Sequence, residues 1–506
     1  MGLVTSQTLT TALAILGMVP QSNPCISPAY SFFTTTSTTV VPTIAANQTI
    51  YVSTSGNDSN NGLTVGAPKL TIWGASGAVS AVSDVTTDWL IEVAAGTYTG
   101  ADATKGHITT AKAMTTGKLY FRGTGTVKIV GSGTTTSSLN IGTTATNNWV
   151  FINLTFGDAT SPNTAGCVQF QTSTNANKIV FDTCTFDATG NTAGWCLYFN
   201  SVVAGTYRSG NYVGDIAFKN CVFNTGATGR VWSQGGASTT PIVGVMISNC
   251  TGTFSTFSAN RVLCSNFWVQ GNNFNASGTN GSNFGIMWGT NTDGSTIPAG
   301  NNTCTNGYFY NNTITSGSGH AVIIGDNAQN ILFDTNTVTC GGGTATANIQ
   351  GIVFKNAMGI NCRNNTASGD CSSSGTNNTT GIYFKACTGF VATGNNCTAT
   401  NNGYAIHVGN ESGTGTGASM YGWIAGNTAY ATGNANAKCF AVDAYVQYPI
   451  LTDRNTYRYT SSGVLTGSAG IRGTACTTLA NLLAAWQTSV NADEYYNDVN
   501  STVVTV

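Results

Sequence analysis

Charge is what this sequence has least of. Only 7% of its 506 residues are Asp, Glu, Lys or Arg, against about 25% in an ordinary soluble domain. Eighteen basic residues stand against 19 acidic ones, for a formal net charge of −1. That balance leaves no basic surface to neutralise phosphates and argues against a nucleic-acid partner. Nine prolines and no Gly-x-y period exclude collagen. No apolar run reaches the roughly 18 residues of a membrane-spanning helix. No Lys or Arg precedes Lys69, so the apolar stretch Ala12–Val19 lacks the basic flank of an export signal. Glu occurs three times and His three times, which narrows the supply of acid–base groups.

What fills the chain instead is Gly (62 residues), Thr, Ser and Asn over a hydrophobic content of 41%. That much apolar material excludes disorder. The 15 cysteines are an odd number, and their placement at repeating positions suggests buried thiols rather than a disulfide framework.

Internal repetition is the strongest signal. One string has an apolar residue, two spacers, Asn or Cys, a spacer and usually a second apolar residue. It runs Phe181 to Phe186 around Cys184, and Phe218 to Phe223 around Cys221. It returns at Asn272, Asn312, Asn336 and Asn427, with looser copies at Cys250, Asn365 and Asn395. Intervals run from 22 to 40 residues. A second string is a short β-rich run: Gly285-Ile-Met-Trp288, Ala321-Val-Ile-Ile324, Gly351-Ile-Val-Phe354, Gly381-Ile-Tyr-Phe384 and Ala405-Ile-His-Val408. Several short strands per repeat, separated by Gly/Asn/Ser/Thr turns and without a helix, predict a parallel β-helix. Coils spaced about 4.8 Å apart would stack like residues into columns. The recurrent Asn would form a hydrogen-bonded ladder, in which Cys184, Cys221 and Cys250 take the same place. About twelve coils are expected between residues 115 and 470, coiled right-handedly.

The two ends add to this. Tyr51-Val52, the loop Gly56-Asn-Asp58, Pro68, Thr71, a small-residue helix near Trp73–Val82, the strand Trp89–Val93 and Gly96-Thr97-Tyr98 follow one another in order. This set resembles the entry module of right-handed parallel β-helix proteins of the pectate-lyase-like superfamily. Leu479–Ser489 is similar to the short leucine/tryptophan segment that closes many of them. The resemblance spans about residues 50–495. It implies the fold, and it leaves function open among lyases, hydrolases, adhesins and phage tailspikes. The domain reading is an N-terminal anchoring or assembly segment over 1–46, a cap with the first coils over 47–115, the β-helix over 116–470 and a C-terminal cap over 471–506. Within the first segment, a marginal helix near Gln7–Met18 and an extended stretch Ser31–Thr43 are expected.

Candidate chemistry comes from stacking. Polygalacturonases of this superfamily carry an Asn-Thr-Asp string. Asn291-Thr292-Asp293 matches it, but the accompanying aspartate pair, Gly-His-Gly and Arg-Ile-Lys strings are missing. If Ile286, Val322, Ile352, Ile382 and Ile406 point inward, alternation sends Met287, Ile323, Val353, Tyr383 and His407 outward. Asp443 would continue that column. Asp326, Lys355 and Lys385 lie just beyond the same strand, and Glu411 in the next turn. Tyr383 and His407 are therefore candidate carbohydrate-binding residues, and Asp326, Glu411 and Asp443 candidate catalytic carboxylates, if two of them stand about 5–9 Å apart. Asp326 and Glu411, beside Gly and Asn, equally suit turn capping. No metal or other cofactor is expected. The apolar part of the column, Met287-Ile323-Val353, would form an exposed patch, as in a homotrimer interface. The leading expectation is a virion-surface appendage that recognises host cell-surface glycan and attaches to a virion partner through residues 1–46, with or without glycan cleavage. The alternatives are a secreted polysaccharide lyase or hydrolase, and a purely structural adhesin or decoration protein at an extracellular surface.

Overall fold

The computed structural model describes residues 39–73, 77–99, 112–131, 137–141, 146–159, 166–170, 176–190, 194–199, 213–234, 242–258, 261–278, 284–290, 304–317, 319–326, 328–341, 349–370, 379–401, 403–409, 419–433, 437–443, 450–460, 480–481 and 501–505. They form a right-handed parallel β-helix with three strand ladders. The first ladder runs from Thr49–Val52 to Ile450–Asp453, each strand paired in parallel with its counterpart one coil away. Twelve of its strands lie between Leu119 and Asp453, the number of coils expected from the repeat. The second ladder follows after a two-residue turn and ends on Thr502–Thr505, which pairs with Thr456–Tyr459. The third ladder comes in two pieces. Four strands run from Leu139–Ile141 to Arg230–Gln234, and seven from Arg261–Val262 to Ala437–Val442.

The turn between the first two ladders explains the repeat. Its first residue sits in the left-handed region in coil after coil, as at Asn153 (φ 54°), Asn220 (φ 54°), Asn311 (φ 53°) and Asn364 (φ 56°). Asn tolerates that region better than most side chains. Its second residue is the ladder Asn. Asn312 Nδ2 donates to Asn336 Oδ1 at 2.8 Å, Asn336 to Asn365 at 3.0 Å, Asn365 to Asn395 at 2.9 Å and Asn395 to Asn427 at 2.9 Å. Each Oδ1 also accepts the backbone N–H of the preceding rung, as Asn336 Oδ1 does from Asn312 N at 3.0 Å. One buried side chain thus satisfies groups of three successive coils. At the other end of the column Cys250 stands in for Asn, its sulfur accepting Cys221 N at 3.3 Å.

Inside, aromatic rings stack at the coil pitch. Phe121, Phe151, Phe181 and Phe218 are separated by 4.8, 4.8 and 5.2 Å. At the entry, Asp58 accepts from Leu70 N, Thr71 N and Thr71 Oγ1, closing the Gly/Asp/Asn loop. The expected capping helix is shorter than its small residues suggested, spanning only Ala78–Ala81.

Within the anticipated N-terminal segment, the described residues from Thr39 onward lie on the chain's own first face. Val41 and Ile44 pack against Leu90, Tyr120, Val150 and Ile152. Thr39 N–H donates to Asp182, and Lys219 Nζ donates to Thr39 Oγ1 at 3.2 Å. The helix expected near Gln7–Met18 lies outside the described residues, as do Asn291-Thr292-Asp293 and, Ala480 and Asn481 apart, the closing segment Leu479–Ser489.

Candidate active site on the third face

The outward column of the third ladder has the register expected from alternation. Met287 pairs with Ile323, Ile323 with Val353, Val353 with Tyr383 and Tyr383 with His407. The next position is Ala441, not Asp443. Asp443 lies two residues further on, its N–H bonded to Val408 O, and its carboxylate reaches back to the preceding coil. His407 Nε2 meets Asp443 Oδ1 at 2.9 Å. With the carboxylate ionised, the proton of a neutral His407 sits on Nε2, which leaves Nδ1 as the basic nitrogen.

Two tyrosines hold this imidazole. Tyr383 stacks on it at 4.3 Å and 9°, and Tyr404 lies 4.4 Å away at 33°. Lys438 Nζ in turn stands 5.2 Å over the Tyr404 ring, a cation–π contact. Burial pushes the Tyr404 phenol above its usual range, and the Asp443 charge adds to the rise. Burial lowers the Lys438 ammonium. Gly409 completes the arrangement. A Cβ there would lie 2.2 Å from Asp443 Oδ2 and 2.9 Å from Tyr383 Oη. Only glycine lets the carboxylate and the phenol hydroxyl converge over the strand. One coil earlier, Lys385 occupies the position in register with Gly409, and Lys355 the position before that. In a chain with so few charges, two lysines in one column beside a His–Asp pair form a marked local concentration.

Two expectations need correction. Asp326 does not join the site. It follows the strand His320–Ile324, four coils from Asp443 along the third ladder. At about 4.8 Å per coil that is about 19 Å, too far for paired carboxylates. Asp326 is buried instead, and its Oδ1 accepts Asn356 Nδ2 at 2.6 Å. That bond ties its turn to the turn of the next coil. Glu411 lies outside the described residues. The exposed apolar patch is also absent. Met287, Ile323 and Val353 are 0, 4 and 3% exposed in the single chain and belong to its continuous core cluster. With no exposed apolar surface on these three residues, the argument for a trimer from that patch falls away.

Tyr404 was not visible in the sequence. Strict alternation places residues 404 and 407 on opposite faces. The pairing skips a residue here, running from Thr380/Tyr404 to Ile382/Ile406, and the two rings end on the same side. Among the described residues no cluster of three or more His, Cys, Asp or Glu suits a metal ion.

No protein-family model and no curated protein matches the chain. Solved structures similar to it include the PL6 family polysaccharide lyase Pedsa3628 from Pseudopedobacter saltans, at 12% identity and TM-score 0.44, covering 86% of this chain and 92% of that one. The A-module of mannuronan C-5 epimerase AlgE6 from Azotobacter vinelandii has 12% identity and TM-score 0.42, covering 84% and 91%. The GH136 lacto-N-biosidase from Eubacterium ramulus has 8% identity and TM-score 0.38, covering 90% and 68%. Likenesses this distant carry no argument about activity, and the functional reading rests on the site itself.

Proposed function

We propose that the protein acts on an acidic polysaccharide at the third face, removing a proton from the sugar carbon beside a carboxylate. The observation that carries this reading is the His407–Asp443 pair facing the Tyr383 hydroxyl across Gly409. His407 Nδ1 takes the proton, and Asp443 stabilises the imidazolium that forms. The electron pair left on carbon forms the new double bond as the neighbouring C–O bond breaks, and Tyr383 Oη protonates the departing oxygen. Lys385, half-buried in the strand that carries Tyr383, supplies positive charge that makes such a carbon more acidic. Hydrolysis through two carboxylates has less support, since Asp443 is the only carboxylate the described residues bring to His407.

This places the enzyme reading ahead of the virion appendage. The appendage reading depends on residues 1–46, and the described part of that segment packs on its own solenoid. The test is to incubate the full chain with uronate and neutral polysaccharides and follow the ultraviolet absorbance of the unsaturated product. Release from a uronate polymer, lost in His407→Ala, supports elimination. Reducing ends without unsaturation would reject it in favour of hydrolysis, and no turnover on any acidic polymer would leave a binding protein.

A further inference from the structure

The first face carries aromatic rings on its outside. Its outward column reads Met246, Trp268, Tyr308 and Leu332 in successive coils, and the neighbouring one Ser248, Gln270, Tyr310 and Asp334. Most large aromatic side chains of this protein are interior, but Trp268, Tyr308 and Tyr310 are half-buried on the outer surface. They are also fixed. Trp268 Nε1 donates to Gln270 Oε1 at 2.8 Å. Trp268 and Tyr308 meet edge to face at 4.8 Å, and Tyr308 and Tyr310 lie 5.9 Å apart at 21°. The nearest charges neutralise each other, with Arg363 Nε and a terminal nitrogen 3.0 and 2.9 Å from Asp334 Oδ2.

A second feature occupies the adjoining face. Three residues beyond Gln270, past the two-residue turn, the same coil reaches Asn273 and Asn275. With Asn224, Thr251 and Thr253 they line an open cleft. Asn273, Asn275, Thr251 and Thr253 are exposed. The cleft is therefore edged by uncharged amides and hydroxyls.

We propose that this aromatic platform and the cleft beside it form a second carbohydrate-binding site, for a neutral glycan. A pyranose offers an apolar C–H face and a rim of hydroxyls. Fixed rings take the first, as apolar linings do in small-molecule sites. Amides and hydroxyls take the second, since both can donate and accept. The paired Asp334–Arg363 leaves no net charge to recruit an acidic polymer. The platform is three to four coils from His407 and the cleft four to six, both on another face, so the site needs no turnover there.

The test is electrophoresis of the full chain through gels containing soluble neutral glucans, mannans or galactans, with uronate polymers as the parallel arm. Retardation by a neutral polymer is expected, weakened at least about tenfold in Trp268→Ala and also in Asn275→Ala, whose exposed side chain can be removed without disturbing the core. His407→Ala should bind the neutral polymer as the wild type does. Absence of retardation by every neutral polymer overturns the proposal. So does retention by both variants, or retardation by uronates alone that His407→Ala abolishes.

Discussion

Asp443 belongs to the coil after that of His407, yet its Oδ1 lies 2.9 Å from the imidazole Nε2. The pair therefore exists only when two coils are in register. Asp443→Asn keeps the shape and removes the charge that orients the ring and stabilises its protonated form. Activity on an acidic polysaccharide should fall at least about a hundredfold, in line with the usual weight of positioned acid–base catalysis. The circular dichroism spectrum and the melting temperature should stay near wild type. A variant of undiminished kcat would remove His407 from the chemistry.

Gly409 offers an independent check. Its missing side chain leaves room for Asp443 Oδ2 and Tyr383 Oη. Gly409→Ala should push the two apart and lower kcat more than it raises KM, because the displaced groups act on the reacting atoms. Kinetics on a uronate polymer check this, and an unchanged kcat would show that the convergence has no catalytic use.

Much of this was legible in the sequence, and the failures have physical causes. The ladder Asn announces itself because one side chain must satisfy backbone groups in neighbouring coils, so its type repeats. The left-handed residue before it passed as a spacer, because several residue types fill that position. The column Val353-Tyr383-His407 followed from alternation alone. Tyr404 did not, because the strand breaks alternation beside Ala405. Asp326 was grouped with Asp443 by its place within the coil, a coordinate that says nothing about distance along the axis. Asp443 was correctly attached to the column's neighbourhood but not to its position, which Ala441 holds.

Asn336 gives the most direct test of the ladder. Its amide donates to Phe309 O, Asp334 O and Asn365 Oδ1, and its Oδ1 accepts from both Asn312 nitrogens. Asn336→Ala strands several buried polar groups, at about 1–3 kcal/mol for each left unsatisfied. The expected loss is at least about 3 kcal/mol, concentrated in adjoining coils because a solenoid is stabilised by nearest neighbours. Hydrogen exchange should quicken most at residues 309–314 and 334–338. Thr339→Ala, exposed on the second face, should change stability by less than about 0.5 kcal/mol. Equal effects from both would contradict a structural ladder.

The cysteines predict a silent chemistry. Twelve are buried thiols among the described residues. Burial pushes the thiols of Cys184, Cys304, Cys387 and Cys439 up to about 12, so the reactive thiolate is scarce at neutral pH. Iodoacetamide on the native protein at pH 8 should leave these four unmodified, and denaturation should expose them. Peptide mass spectrometry reads the outcome site by site. Rapid native labelling of Cys184 or Cys387 would mean that the coils open locally.

Asp182 ties the segment beginning at Thr39 to the first face, and its titration gives that contact a pH limit. Burial raises its carboxyl, but hydrogen bonds from Thr39 and Asn220 and the Lys219 charge 3.6 Å away outweigh this and hold it below the ordinary carboxylate range. A carboxylate depressed in the folded state stabilises that state above its unfolded value, about pH 3.9, and loses the contribution as the pH falls through the folded value. The attachment should therefore be intact at neutral pH and loosen only below about pH 4. Loosening should expose the apolar contacts of Val41 and Ile44. Asp182→Asn removes the charge at every pH and strands Lys219, so it should loosen the segment at pH 7 as well. Limited proteolysis near residues 39–45 compares the two. Cleavage of the variant at pH 7, with wild type resistant at pH 7 and yielding only as the pH is stepped down below about 4, is the expected pattern. A variant as resistant as wild type at pH 7 would assign the attachment to Val41 and Ile44 alone.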